Sequence, residues 1–140
     1  MLAYPVSDKP IDYKSVVYMQ PKLDGVRCLI QCNNGKVTAY SRNDKEWKNI
    51  DHILKALVPF FIDFPNVVLD GELYNHDFKD DFESIISMVR KTKPTDEARI
   101  ESAKHVQFHC YDIIDTHKTY MQRRSFIVQN LPIANCINGV

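Results

Sequence analysis

The sequence is missing the features that would place it in a membrane, a secretory pathway or a zinc-binding class. It has no apolar run long enough to cross a bilayer. Its start, Met1-Leu2-Ala3-Tyr4-Pro5, lacks the basic residues and apolar core of a signal peptide. The four cysteines show no CxxC spacing, which argues against structural zinc and favours reduced thiols. We therefore expect a cytoplasmic protein that does not bind membranes.

An excess of charge of either sign is also missing. The 140 residues carry 18 Lys and Arg against 18 Asp and Glu, so the formal net charge is zero. A domain that binds duplex DNA on its own is usually basic, and this balance argues against strong autonomous duplex binding. The hydrophobic fraction of 44% and the charged fraction of 26% are ordinary for a globular domain. The length suits one domain with its own core.

Strand-like and helix-like segments alternate along the chain without internal repeats. Up to residue 10 we expect an extended lead-in. Alternating or β-branched apolar residues predict strands at 15–20, 27–33, 36–41, 67–69 and 106–114. Apolar residues at helical spacing predict helices at 50–60, 80–91, 96–103 and 119–131. Asn34-Gly35 predicts a tight hairpin, because both positions tolerate positive φ. Mostly antiparallel strands with helices packed outside define an α+β class.

The most informative segment is the run Gln20-Pro21-Lys22-Leu23-Asp24-Gly25-Val26-Arg27. A lysine between two apolar strands would be desolvated and would lose its proton more easily, and the neutral amine is a nucleophile. Asp24 could orient that amine, Gly25 would let the backbone approach a ligand closely, and Arg27 could bind a phosphate. The alternative is a turn with ordinary surface charges.

The run from Lys22 to Arg27 resembles the Lys-x-Asp-Gly-x-Arg motif of the nucleotidyltransferases, which include ATP-dependent DNA ligases, RNA ligases and mRNA capping enzymes. Four further segments resemble later elements of this family and occur in the family's order. They are Ser41-Arg42-Asn43, Leu69-Asp70-Gly71-Glu72-Leu73, the strand from Phe108 to Asp115 with Tyr111 before Asp112, and the arginine-bearing segment Tyr120 to Ser125. The resemblance covers about residues 15 to 130.

The resemblance implies a ligase-type nucleotidyltransferase fold, similar to ATP-grasp proteins, with two antiparallel-rich sheets facing each other across a nucleotide cleft. The family's later Glu-Gly and Lys-x-Lys elements do not occur before Val140, and no oligonucleotide-binding barrel follows. We therefore expect residues 1–140 to form a partial nucleotidyltransferase (adenylation) domain whose C-terminal part is missing. Such a chain is a fragment, a truncated reading frame or one piece of a split protein.

The resemblance also implies which residues are catalytic. Lys22 matches the lysine that attacks the α-phosphate of ATP and carries AMP covalently, with Asp24 beside it as the second catalytic residue. Arg27 and Arg42 match residues that contact the phosphates and the ribose. A divalent ion, Mg²⁺, is expected to neutralise the phosphates.

Three more residues complete the expected ATP site. Glu72 matches a carboxylate that lies near the ribose or the metal, and Tyr111 matches the aromatic residue that stacks on the purine. Gln20 replaces the glutamate that many members carry two residues before the lysine, but its amide can still hydrogen-bond a base edge. We interpret Asp70 as a residue of the turn at a strand end, and Arg123 with Arg124 as a solvated helix face or a DNA contact.

The expected function is that of an ATP-dependent DNA ligase of bacterial or viral type that seals nicks in replication, repair or recombination. Its partners would be ATP and, through the complete protein, nicked duplex DNA, and we expect a monomer. A capping guanylyltransferase, an RNA ligase and a non-catalytic nucleotide-binding remnant stay open as alternatives. The 140-residue chain alone is expected not to seal nicks, because cations of the missing motifs would approach the same phosphates.

Overall fold

The computed structural model describes residues 7–140, which fold into a mixed arrangement of strands and helices. The strands are β1 (Val26–Asn33), β2 (Lys36–Tyr40), β3 (Val68–Tyr74), β4 (Gln107–Ile113) and β5 (Ile137–Gly139). The helices are α1 (Asp51–Asp63), α2 (Phe82–Val89), α3 (Asp96–His105) and α4 (Tyr120–Asn130), with a 3₁₀ helix at His76–Phe78. The predicted α+β class is confirmed. In this part of the chain no helix is both long enough and apolar enough to span a bilayer.

The strands described in residues 7–140 form one sheet with the order β2-β1-β3-β4-β5. Strand β1 pairs antiparallel with β2 and β3, and β3 pairs antiparallel with β4, whereas β5 runs parallel to β4. The β1–β2 turn has φ of 50° at Asn34 and 78° at Gly35, as the hairpin prediction requires. A second sheet facing the first, which the resemblance implied, does not form within these residues. Strand β5 was missed because three residues give no periodic pattern.

One face of the sheet carries the hydrophobic core. Alternate residues of the central strands, such as Cys28 and Ile30 of β1, are fully buried and pack against α1, α2 and α4. The largest buried side chains of this core are Phe108, Ile53, Leu57, Leu69 and Leu73. Because side chains alternate between the faces of a strand, the residues between these core positions point to the opposite face. That opposite face holds most of the candidate site residues.

Helix α4 is tied to the sheet by an ion pair. Arg123 donates from Nε to Oδ1 of Asp112 over 2.7 Å and from Nη2 to Oδ2 over 3.0 Å. It also donates from Nη1 to the carbonyl of Lys118 over 2.8 Å. Only 13% of the Arg123 side chain is exposed, so the expectation of a solvated helix face is wrong for this residue. Arg123 joins α4 to β4.

The segment 15–20 is not a strand, which corrects the prediction from its apolar residues. Val16 is 79% exposed and Met19 is 90% exposed. The nearby strand β4 already pairs with β3 on one side and with β5 on the other, so it offers this segment no free edge. Part of the predicted lead-in, residues 1–6, lies outside the described residues.

Candidate active site

Lys22 lies in an irregular, exposed segment that leads into β1. The sequence predicted a lysine desolvated between two strands, but the segment before it is not a strand and Lys22 itself is exposed. The prediction that Lys22 is buried between two strands is therefore wrong. Asp24, the other expected catalytic residue, is exposed as well.

Gly25 fixes the path of the chain between Lys22 and β1. A Cβ at this position would collide with the carbonyl oxygen of Leu73 and would lie 2.7 Å from Cγ of Glu72. The backbone at Gly25 is therefore pressed against β3, which carries Glu72. The sequence predicted a glycine that lets a ligand approach, whereas here the close neighbour is another strand of the protein.

Arg27 of β1 forms a two-point ion pair with Asp70 of β3. Nη2 of Arg27 lies 2.7 Å from Oδ2 of Asp70, and Nε lies 3.0 Å from Oδ1. The pKa of the Arg27 guanidinium is raised, chiefly by its hydrogen bond to Asp70. Asp70 is 7% exposed and lies inside β3, so it is not the residue of a strand-end turn that the sequence suggested. The pair holds the guanidinium at a fixed place on the open face of the sheet.

Glu72 lies directly opposite Arg27 in the β1–β3 ladder. Burial raises its pKa to about 7, while the positive charge of Lys22 opposes that rise and the carboxylate of Asp70 adds to it. Near neutral pH the Glu72 carboxyl therefore exists in both protonation states. The influence of Lys22 and Arg27 on this pKa indicates that the expected nucleophile and one expected phosphate-contacting arginine lie near the same carboxyl group.

Tyr111 lies on β4 where the β3–β4 pairing changes register between Asp70 and Gly71. Asp70 faces Asp112 and Gly71 faces Cys110, so Tyr111 is the extra residue of a β-bulge. Burial raises the pKa of the Tyr111 hydroxyl, and the carboxylates of Asp70 and Glu72 raise it further. The phenol is therefore neutral at physiological pH. Its half-buried ring lies near the side chains of Asp70, Glu72 and Arg27.

Gln20 contacts the same part of β4 through its amide. Its Nε2 donates to the carbonyl of Tyr111 over 3.1 Å and to the carbonyl of Val140 over 3.2 Å. These bonds use both N–H groups of the amide and leave Oε1 to accept. Gln20 thus connects the segment before Lys22 to the strand that carries Tyr111.

Arg42 lies apart from this cluster, in the turn that follows β2. Together with Gly25 and Arg27 it lines an open cleft of about 800 Å³. The structure therefore places Lys22, Asp24, Arg27, Glu72 and Tyr111 around one end of β1 and β3, with Gln20 at the edge of that cluster. Arg42 lines the same cleft as Arg27.

The described residues contain no group of three or more His, Cys, Asp or Glu side chains that could hold a metal ion by themselves. The carboxyl of Glu72 could supply one oxygen ligand, since Mg²⁺ in nucleotide sites is commonly bound by one or two carboxylates together with phosphate oxygens and water. The four cysteines are free thiols, of which Cys28 and Cys110 are buried. They take no part in the candidate site.

Sequence reasoning missed Asp70 as a functional neighbour. The signal was available, because Asp70 and Glu72 are two residues apart on a strand and must share a face. It also gave no function to the cations that line the cleft beside Arg42, namely Lys45, Arg90 and Lys91. No sequence pattern places the turn after β2 and the end of α2 at one cleft, because that arrangement is tertiary.

Comparisons with known proteins agree with this fold. Residues 1–138 match the family model of the ATP-dependent DNA ligase domain. The chain therefore belongs to the ATP-dependent DNA ligase domain family.

Individual relatives match a shorter stretch of the chain than the family model does, or match most of the chain at low sequence identity. The DNA ligase of African swine fever virus is 44% identical over 61 residues, which are 41% of this chain and 14% of the viral protein. The chain thus spans about a seventh of the length of these curated relatives. A Lig E DNA ligase superposes with a TM-score of 0.58 at 22% identity, covering 85% of this chain and 41% of that one.

A mycobacterial DNA ligase D complexed with ATP superposes with a TM-score of 0.50 at 20% identity. The superposition covers 86% of this chain and 38% of that one. At these identities the structural likenesses show the fold alone, and they confirm the expected ligase-type fold.

Proposed function

We propose that this chain contains the lysine-adenylating part of an ATP-dependent DNA ligase, with Lys22 as the nucleophile. The observation that carries the proposal is the clustering of Lys22, Asp24, Arg27, Glu72 and Tyr111 at one end of the sheet. The family to which residues 1–138 belong supplies the reaction. In the complete protein the AMP carried by Lys22 would be used to seal nicks in duplex DNA.

In the proposed step the neutral amine of Lys22 attacks the α-phosphorus of ATP. The P–N bond forms as the bond between the α-phosphorus and the bridging oxygen breaks, pyrophosphate leaves, and the proton of the amine passes to solvent. This converts one difficult transfer into two easier ones. Arg27, held by Asp70, offers a guanidinium that is already oriented for a phosphate or a ribose hydroxyl.

The residues present fit a divalent cation bound jointly by protein and nucleotide. The side chain of Glu72 would provide the protein ligand, and its raised pKa means that a bound cation would favour the ionised form. Mg²⁺ would supply neutralisation of the phosphate charge during transfer. A metal held by the protein alone is not supported by the described residues.

The base would lie against Tyr111, with Gln20 at its edge. Because Nε2 of Gln20 is engaged by two carbonyls, Oε1 is the atom left for a ligand, and it can only accept. The exocyclic amino group of adenine is a donor, whereas guanine carries a carbonyl at that ring position. This arrangement favours ATP over GTP, and thereby a ligase over a capping guanylyltransferase.

The test is covalent labelling of the protein, incubated with Mg²⁺ and ATP labelled in the α-phosphate or, in parallel, with GTP labelled in the same way. We expect an acid-labile AMP adduct on the tryptic peptide that contains Lys22, weaker labelling by GTP, and no label on Lys22→Ala. Lys14→Ala, which removes another exposed lysine of the same segment, is the matched control and should label normally. Label that persists in Lys22→Ala, or that maps to another lysine, would show that the assignment is wrong. Absence of label from the unmodified protein would favour the non-catalytic remnant.

A further inference from the structure

The cleft beside the candidate active site has a strongly one-sided charge. It opens between the start of β1, the turn after β2 and the C-terminal end of α2. The four cations that line it in addition to Arg27 are Arg42, Lys45, Arg90 and Lys91. The one lining carboxylate, Glu46, lies 3.7 Å from the amine of Lys48. In a chain whose net charge is zero, this concentration of positive charge is a local feature.

These four cations are available to an external anion. All four side chains belong to exposed residues. Within residues 7–140 none of them forms an ion pair, in contrast to Arg27, Arg99 and Arg123, each of which pairs with an aspartate. Four cations that line one cleft without paired carboxylates create a region of positive potential that attracts anions.

The backbone holds two of these cations in a closed turn. The N–H of Ser41 donates to the carbonyl of Lys45 over 2.8 Å, and the N–H of Lys45 returns to the hydroxyl of Ser41 over 3.1 Å. Asp44 has φ of 59° and donates its N–H to the carbonyl of Ser41 over 3.0 Å. The turn therefore presents Arg42 and Lys45 from a fixed frame rather than from a loose loop.

A buried polar group lies at the same cleft. Trp47 lines the cleft, is 8% exposed, and has a ring N–H that is buried without a hydrogen-bond partner in the described structure. A buried donor without a partner carries a free-energy cost that a bound acceptor can offset. Phosphate and sugar oxygens are such acceptors.

We propose that this cleft binds the sugar–phosphate backbone of a DNA strand that runs beside Lys22, with Lys45, Arg90 and Lys91 as phosphate contacts. The inference rests on the proposed ligase function, which makes DNA the substrate. It extends the phosphate contact implied for Arg42 to three residues outside the family motifs. Cations on two separate elements fit an extended polyanion better than the single triphosphate of ATP, since a triphosphate would be gathered by one compact group of donors.

The structural alternative is that Arg90 and Lys91 only stabilise the negative C-terminal end of α2. Lys104 in the last turn of α3 and Lys55 on α1 provide a matched comparison, because both are exposed and lie outside the cleft. The experiment compares R90Q/K91Q with K55Q/K104Q, which lose the same net charge. Binding of a short, fluorescently labelled nicked duplex is measured by anisotropy without ATP, over a range of salt concentrations. Circular dichroism checks that both variants fold.

We expect R90Q/K91Q to weaken DNA binding about tenfold or more and to reduce the slope of log K against log salt by about 1 for each residue removed. K55Q/K104Q should bind with nearly the affinity and the slope of the unmodified chain. Equal losses in both variants, or no binding by the unmodified chain at low salt, would overturn the proposal. So would displacement of the DNA by stoichiometric inorganic tripolyphosphate, which would identify a compact triphosphate site.

The failure of this proposal can be separated from failure of the proposed function. Anisotropy without ATP tests only the cleft, whereas nucleotide labelling tests only Lys22. A chain that labels normally but shows no difference between the two double variants keeps its proposed function and loses the DNA cleft. A chain that does not label yet shows the expected difference keeps the DNA cleft and loses the catalytic proposal.

Discussion

Two arginine–aspartate pairs join neighbouring elements of this fold with similar geometry and different surroundings. Arg27 and Asp70 connect β1 with β3, and Arg123 and Asp112 connect α4 with β4. In both, Nε and Nη2 of the arginine contact the two oxygens of one carboxylate. The first pair adjoins Glu72, whose pKa is raised by burial and by Asp70 and lowered by Lys22 and Arg27, and it adjoins the neutral phenol of Tyr111. The side chain of the second arginine also donates to the Lys118 carbonyl, and the pKa of its guanidinium is raised chiefly by its hydrogen bond to Asp112 and less by Asp115.

The difference between the pairs lies in what would change if each were lost. Loss of the Asp112 carboxylate would remove the ion pair between α4 and β4, and Asp112 is not among the charges that shift the pKa of Glu72 or of Tyr111. Loss of the Asp70 carboxylate would release the Arg27 guanidinium and remove a negative charge that raises the pKa of Glu72 and of Tyr111. We infer that the Arg123–Asp112 pair is a structural link, whereas the Arg27–Asp70 pair positions a guanidinium in the candidate site.

The largest expected effect separates the two pairs directly. Asp70→Asn should slow the adenylation of Lys22 by about 10²-fold, since a small displacement of a positioning group can cost that much. It should also move the acidic limb of the pH–rate profile to lower pH, because a carboxylate that raises the pKa of Glu72 has been removed. Single-turnover labelling with ATP over a range of pH measures both quantities.

Asp112→Asn is the matched control for that experiment. It should leave the adenylation rate and its pH profile unchanged, while lowering the free energy of unfolding by about 1–3 kcal/mol through the loss of a charged hydrogen-bond partner. If both variants slowed adenylation equally, the distinction between a positioning pair and a structural pair would be wrong.

Two glycines give the next contrast: Gly25 precedes the inner strand β1, and Gly139 lies in the edge strand β5. Gly25→Ala places a Cβ against the Leu73 carbonyl and 2.7 Å from Cγ of Glu72, so β1 and β3 must separate. We expect a loss of about 1–3 kcal/mol in the free energy of unfolding, together with slower adenylation. Gly139→Ala meets no atom closer than 3.7 Å and should change stability by less than ~0.5 kcal/mol. Urea denaturation measures the free energy of unfolding of both variants. Equal values for Gly25→Ala and Gly139→Ala would contradict the close packing described at Gly25.

The sequence predicted the elements of this fold better than their arrangement. The hairpin at Asn34-Gly35 was predicted correctly because positive φ is a local property of these two residues. The helix predicted over 119–131 from its apolar spacing begins at Tyr120, where Thr119 forms a capping box that also depends only on neighbouring residues. The segment 15–20 was mistaken for a strand because its apolar residues fit the pattern, whereas a strand also needs a free neighbouring edge.

The candidate site shows the same division between local and tertiary information. The motif identified Lys22, Asp24 and Arg27 as a group, since they lie within six residues of the chain. The position of Glu72 opposite Arg27 and the burial that raises the pKa of Glu72 depend on strand register. Exposure of Lys22 and the use of the Gln20 amide to bind two backbone carbonyls could not be predicted, because both depend on where 15–20 lies relative to β4.

The smallest expected effect concerns the pH dependence of stability at Glu72. Its pKa is about 7 in the folded chain against 4.5 in the reference state, so the folded chain binds more protons between these values. The stabilisation is therefore fully present below about pH 4.5 and is lost as the pH rises through about 7. Glu72→Gln removes this loss and should become progressively more stable than the unmodified chain between about pH 5 and pH 8. Because Glu72 is only partly buried, we expect a gain below the ~1.4 kcal/mol per pKa unit of an unscreened group.

Glu97→Gln is the control. The pKa of its exposed carboxylate is lowered by hydrogen bonds at the start of α3, so the difference in stability between this variant and the unmodified chain should be flat over that pH range. A flat difference for Glu72→Gln as well, measured by thermal unfolding at each pH, would show that Glu72 is ionised throughout and is not part of a buried, coupled cluster.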